Sequence, residues 1–250
     1  MTATDQAAPA AAAPLPLFYR EPEALSSKVH GQWRLKGGDL GFTADSHVAP
    51  LVVAEFAKAM RWYPIVFVAG APSPVALLGL ERRNLFVADG AWTPEAYVPA
   101  YVRRYPFGFM ATSDEDRFAL AIDTASDAVA RDGEEGEPLF VDGQPGPLTL
   151  DALKFCDAYR GEAAATAAFC AALAEKDLLV DRRADVTTPD GRRFGVEGFT
   201  LVDSERLAAL DADTVVDWHR RGWLGLIYLH LASLGRFDDL MALQGRVAAA

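Results

Sequence analysis

Between residues 62 and 109 proline and glycine interrupt the apolar runs so often that only short strands joined by tight turns fit there. WYPIVFVAG is followed by PVALLGL, and then by NLFVADGAWTPEAYVPAYVRRYPFGFM. Residues 65–69 and 75–80 read as strands, and a shorter one at 85–87 leads into the Asp89-Gly90 turn. This block demands a sheet-containing core. It does not announce a reaction.

The flanking segments add a reading of the rest. Residues 32–35 and 40–42 read as a hairpin turning at Gly37-Gly38. Asp45 or Ser46 can cap a helix over 49–62, where Leu51, Val52, Phe56, Ala59 and Met60 recur at helical spacing before Pro64 ends it. Thr93 can cap a short helix within 92–105, with Pro94 at its first position. Strands follow at 108–113, 117–122 and 138–141, and their short connections favour antiparallel neighbours. An alanine-rich helix over 149–176 starts at Thr149 or Asp151, with Gly161 its weak point. Residues 183–187 and 193–202 flank the Thr188-Pro189-Asp190-Gly191 turn signal. Asp203 or Ser204 caps a short helix, and helices follow at 213–221, 223–234 and 237–247. The expected class is α+β: a largely antiparallel sheet with flanking helices and a helix-rich C-terminal half. Residues 1–15 read as a disordered tail and 16–247 as a single domain, sheet-rich over 30–147 and helix-rich over 148–247.

Composition excludes several partners. With 24 basic against 35 acidic residues the net charge is −11, so the chain lacks the basic footprint that nucleic acid or anionic lipid requires. No apolar run approaches the length of a membrane-spanning helix. The N-terminal Ala/Pro stretch has no basic flank and carries Asp5, so no signal peptide is expected. Cys156 and Cys170 form neither a disulfide framework nor a zinc pattern. The expected location is cytoplasmic, with surface association only by a non-classical export route.

No catalytic constellation emerges. There is no G-x-S-x-G, P-loop or G-x-G-x-x-G, and both cysteines fall on a core helix, where small hydrophobes belong. Of the histidines, His219 reads as a surface residue and His230 as semi-buried. Asp45 and His47 form a D-x-H pair that offers a weak metal alternative, more simply read as helix capping. Asp123 ends the strand FALAID, where carboxylates face pockets or cap turns. Of the adjacent Arg103 and Arg104, one can turn inward onto a carboxylate while the other reaches solvent. A buried ion pair is the simple reading. The functional one is a clamp for a small anionic or carboxylate ligand, with Trp92 and Tyr97 as an aromatic wall and Asp123 nearby.

Several separate blocks resemble the SapC family of bacterial proteins. They are HVAPLVVAEFAKAMRWYPIVF (47–67), NLFVADGAW (84–92), YVPAYVRRYPFGF (97–109), ALAID (119–123), EPLFVDG (137–143) and LIYLHLASLGRFDDL (226–240), together with the 190–203 hairpin. The resemblance covers nearly all of residues 16–245. It implies association with a bacterial surface layer, and a genomic setting beside TonB-dependent receptors, cupin-like proteins and tryptophan-halogenase-like flavoproteins suggests nutrient uptake. It carries no assigned catalytic residue and implies no cofactor. The expectation is therefore an accessory protein that binds a small molecule or a protein partner. The alternatives are a metal-dependent oxygenase or hydrolase using Asp45 and His47, and a structural subunit that forms homo-oligomers.

Overall fold

A computed structural model describes residues 15–112, 118–187 and 193–248. Its centre is a five-stranded antiparallel sheet in the spatial order Leu179–Thr187, Arg193–Val202, Ile65–Val68, Pro74–Leu77, Val48–Pro50. Ile65, Val66 and Phe67 are all fully buried, as a central strand covered on both faces requires. Ile65 pairs with Ala76, and Thr200 pairs with Phe67, so strands distant in sequence meet on either side of it. Helix Trp223–Ser233 packs on the Ile65–Val68 and Arg193–Val202 strands. The architecture is α+β, with antiparallel sheets and helices gathered towards the C-terminus.

A second, three-stranded sheet pairs Pro22–Ala24 and Phe107–Ala111 on either side of Phe118–Asp123. The 29-residue helix Pro147–Glu175 links the two hydrophobic cores: Cys156 is buried with Phe107 and Ile122, whereas Phe169, Cys170 and Leu173 enter the core around the central sheet. Two Asp-Gly turns close two-residue hairpins. Asp89 (φ 51°) and Gly90 (φ 73°) join Val87–Ala88 to Ala91–Trp92, and Asp142 (φ 50°) and Gly143 (φ 74°) join Phe140–Val141 to Gln144–Pro145. Positive φ at both central residues matches the twist of the paired strands.

Four local expectations change. Residues 40–42 do not pair with the 32–35 segment: Arg34–Leu35 lies between Val129–Ala130 and Glu137–Pro138, while Gly41–Thr43 forms a 3₁₀ turn. The Asp39 side chain accepts the Gly41 N–H, and Leu40 N–H donates to the Gly90 carbonyl, which draws the chain away from a hairpin. The 49–62 helix is replaced by the edge strand Val48–Pro50, a 3₁₀ turn at Val53–Glu55 and the single turn Phe56–Ala59. Proline suits a sheet edge, and Ser46 binds both the N–H and the C=O of Val48 instead of capping a helix. Thr93 does not cap the 92–105 helix; its N–H and hydroxyl bind the Phe86 carbonyl, and helix begins only at Ala100 after Pro99. Thr149 likewise gives its hydroxyl to the Leu139 carbonyl, so the long helix opens on Gly146 with Pro147 at its first position. The Asp203 cap is present, its carboxylate accepting the N–H groups of Glu205 and Arg206. Arg117 and the turn signal at 188–191 lie outside the described residues.

Candidate functional site

A cleft of about 710 Å³ opens where the loop after the Arg34–Leu35 strand meets the turn at residues 126–128 and the Tyr105-Pro106 corner. That volume falls within the range of small-molecule sites, about 300–1,000 Å³. Its rim includes the exposed Gly37-Gly38 pair. Side chains built at either glycine would meet nothing within 4 Å, and Gly38 takes φ +98°. Neither peptide N–H of this pair has a hydrogen-bond partner among the described residues. Phe42 and Tyr105, stacked with ring centroids 4.2 Å apart, form an aromatic side wall, and Val102 and Pro106 extend it. Arg20, Lys36 and Arg103 supply positive charge, and Asp39, Asp127 and Glu135 negative charge.

Of the two adjacent arginines, Arg103 is exposed and lines this cleft, whereas Arg104 turns inward. No carboxylate receives Arg104 among the described residues. Its guanidinium lies over the rings of Tyr101 at 4.2 Å, Tyr159 at 4.6 Å and Tyr19 at 5.6 Å, and its Nε is buried without a partner. The buried arginine is therefore housed by a tyrosine cage rather than by an ion pair. Burial pushes the hydroxyls of Tyr19 and Tyr159 well above the ordinary tyrosine range.

Trp92, Tyr97 and Arg103 meet in one hydrogen-bonded chain. Trp92 Nε1 donates to the Tyr63 hydroxyl at 3.0 Å, which donates to the Tyr97 carbonyl at 2.6 Å. The Tyr97 hydroxyl donates to Glu55 Oε1 at 2.8 Å and accepts from Arg103 Nη2 at 3.2 Å. Arg103 Nε also donates to the Val98 carbonyl at 3.1 Å. These contacts occupy two of its five N–H donors and leave the others for a ligand. Burial, then the neighbouring Glu55 carboxylate, pushes the Tyr97 hydroxyl up to about 12. Tyr97 stays protonated at neutral pH and acts as a donor to Glu55.

Asp123 does not line the cleft; it holds up two residues that do. Its fully buried carboxylate accepts the backbone N–H of Arg20 at 3.2 Å, that of Glu21 at 2.7 Å, and the Tyr105 hydroxyl at 2.8 Å. The N-terminal segment bearing Arg20 and the wall residue Tyr105 are thereby fixed through one group. Arg20 also donates through Nη2 to the Ala125 carbonyl. Of the residues singled out from sequence, Arg103 reaches the cleft directly, Asp123 reaches it through Tyr105, and Trp92 and Tyr97 buttress Arg103 from behind. Arg104 forms its own cage.

Asp45 is exposed and His47 half-buried at the entry to the Val48–Pro50 strand. Burial and the Arg82 guanidinium hold His47 below the usual histidine range. No group of three His, Cys, Asp or Glu side chains that could hold a metal ion occurs among the described residues. His219 is exposed, but His230 is fully rather than partly buried: its Nδ1 lies 2.8 Å from the Ile65 carbonyl and its Nε2 accepts the Val202 N–H at 3.1 Å. Burial pushes it down to about 4, so it is a neutral brace between strands. Both thiols are raised by burial to about 11 and are inert as nucleophiles at neutral pH.

The sequence does not single out Glu55, Gly37-Gly38 or Asp127 as site residues. Glu55 sits within the helical spacing of 49–62, and a glycine pair carries the signal of a hairpin turn. Asp127 carries no local signal. A smaller cleft of about 470 Å³ lies between the long helix and helix Ala212–Arg220. Both of its lining cations are engaged, Arg221 with Asp217 at 2.8 Å and Lys176 with Asp211 at 3.4 Å, which leaves it less to offer an anionic ligand.

The model of one protein family, described as SapC, matches residues 25–240. No curated protein and no solved structure matches the chain. No helix among the described residues is long and apolar enough to cross a membrane.

Proposed function

The chain belongs to the SapC family, and from that premise we propose that it is a non-catalytic accessory protein that binds a small carboxylate-bearing ligand in the cleft that Gly37, Gly38 and Arg103 line. The setting we assign is a bacterial surface layer or outer-membrane nutrient-uptake system, with the protein on the cytoplasmic side. The observation that carries the reading is Arg103. It is anchored by Tyr97 and the Val98 carbonyl, lines the cleft together with Gly37 and Gly38, and has three of its five N–H donors without a partner among the described residues. A guanidinium held from behind presents its fork to a carboxylate at little further cost in side-chain entropy.

The chemistry around the cleft supports binding over turnover. The cysteines are buried away from it, His230 is locked neutral between strands, and beside the cleft's hydroxyl groups, Ser126 and Tyr105, no histidine lines the cleft and its lysine, Lys36, is paired with Glu135. A thermal-shift screen against small mono- and dicarboxylates tests the reading. Saturable stabilisation that Arg103→Met abolishes is expected. Absence of stabilisation by every carboxylate, or an undiminished response in Arg103→Met, would overturn it.

A further inference from the structure

Three carboxylates line the cleft, and two are already engaged. Asp39 Oδ1 accepts the Gly41 N–H at 2.6 Å, and Glu135 pairs with Lys36 at 3.2 Å. The third, Asp127, accepts no hydrogen bond and meets no cation among the described residues. Its position is nevertheless built. Ser126 N–H donates to the Asp123 carbonyl at 3.1 Å, Ala128 N–H donates to Ser126 Oγ at 3.3 Å, and Lys36 N–H donates to the Ala128 carbonyl at 2.8 Å. The turn that carries Asp127 is therefore tied to the segment that leads into the Gly37-Gly38 pair.

A purely anionic ligand in this cleft would bring its charge up to a bare carboxylate, and like charges brought together repel. A ligand with an ammonium group turns the same carboxylate into a partner. Resting on the carboxylate reading above, we infer that the ligand of the cleft is a zwitterion: an amino acid with an apolar side chain. Its carboxylate is held by Arg103 and the Gly37 and Gly38 N–H groups, its ammonium by Asp127, and its side chain by the Phe42–Tyr105 wall. The glycine pair leaves the rim of the cleft uncrowded in this arrangement, with nothing within 4 Å of a side chain built at either position.

Isothermal titration with three compounds of one skeleton separates the two claims: L-phenylalanine, 3-phenylpropionate, which lacks the ammonium, and phenethylamine, which lacks the carboxylate. L-Phenylalanine should bind about tenfold or more tighter than either, the gain of one charge-assisted contact at each end. Asp127→Asn, an exposed position that leaves the fold intact, should bring L-phenylalanine to the level of 3-phenylpropionate and spare the latter. Gly37→Phe should block all three without changing the circular dichroism spectrum. Equal binding of L-phenylalanine and 3-phenylpropionate would overturn the zwitterion and leave the carboxylate reading standing. Equal binding of L-phenylalanine and phenethylamine would overturn the carboxylate reading, and binding of none of the three would overturn both.

Discussion

His230 bonds Ile65 across the sheet–helix interface, its Nδ1 lying 2.8 Å from the Ile65 carbonyl while Nε2 accepts the Val202 N–H at 3.1 Å. The side chain thus spans two adjacent strands of the central sheet, and both bonds require the neutral ring with its proton on Nδ1.

This fixes a pH dependence. The ring is held at about 4 in the fold, against an ordinary 6.5 in the unfolded chain. Between those values the unfolded state binds a proton that the folded state refuses, so the contribution is full above pH 6.5 and is lost as pH falls towards 4. Chemical denaturation at pH 7 and pH 5 should show a loss of about 2 kcal/mol at the lower pH from this group. His230→Gln should be less stable at pH 7 and show a flatter pH response.

Glu55 gathers three donors: Val52 N–H at 2.9 Å, Ala100 N–H at 2.6 Å and the Tyr97 hydroxyl at 2.8 Å. Glu55→Ala strands two buried peptide N–H groups and should cost about 3 kcal/mol or more in urea unfolding. Glu55→Gln keeps one acceptor oxygen and should cost less. Both variants should weaken ligand binding through the loss of Tyr97, the anchor of Arg103.

Much of this architecture is legible in the sequence where the signal is local. The Asp89-Gly90 turn, the buried IVF strand and the long alanine-rich helix follow from turn chemistry and periodicity that the tertiary structure does not oppose. The 49–62 segment differs because Leu51, Val52, Phe56 and Ala59 are core residues of a loop and a single helical turn that happen to share helical spacing. Pairing of Val48 with Leu77 decided the outcome, and Pro50 was the only local hint of it. The site was half visible. Arg103 announced itself as one of two adjacent arginines, but a bare Asp127 is defined only by the absence of a neighbour, which no sequence window contains.

Asp123 is a positioning residue, and its removal should act at a distance. Asp123→Ala strands the N–H groups of Arg20 and Glu21 and the Tyr105 hydroxyl, at a cost of about 2–4 kcal/mol. Near-ultraviolet circular dichroism should register loosening of Tyr105. Asp123→Asn, retaining one acceptor, should recover part of both losses.

Gly37 and Gly38 should separate. Gly38 lies at φ +98°, so Gly38→Ala is strained and should cost about 1 kcal/mol or more, whereas Gly37→Ala meets no steric obstacle and should leave thermal stability unchanged.

Cys156 and Cys170, with thiols near 11, should resist iodoacetamide at pH 8 in the folded protein and react fully in guanidinium. Rapid modification of either in the native state would show that the core around the long helix opens readily.

Native mass spectrometry of freshly purified protein, beside the Gly37→Phe variant, tests the central claim most directly. The account predicts a stoichiometric small organic adduct on the unaltered chain that is missing from the variant. A bare chain in both samples, or an adduct that persists undiminished when the cleft is filled, would contradict it.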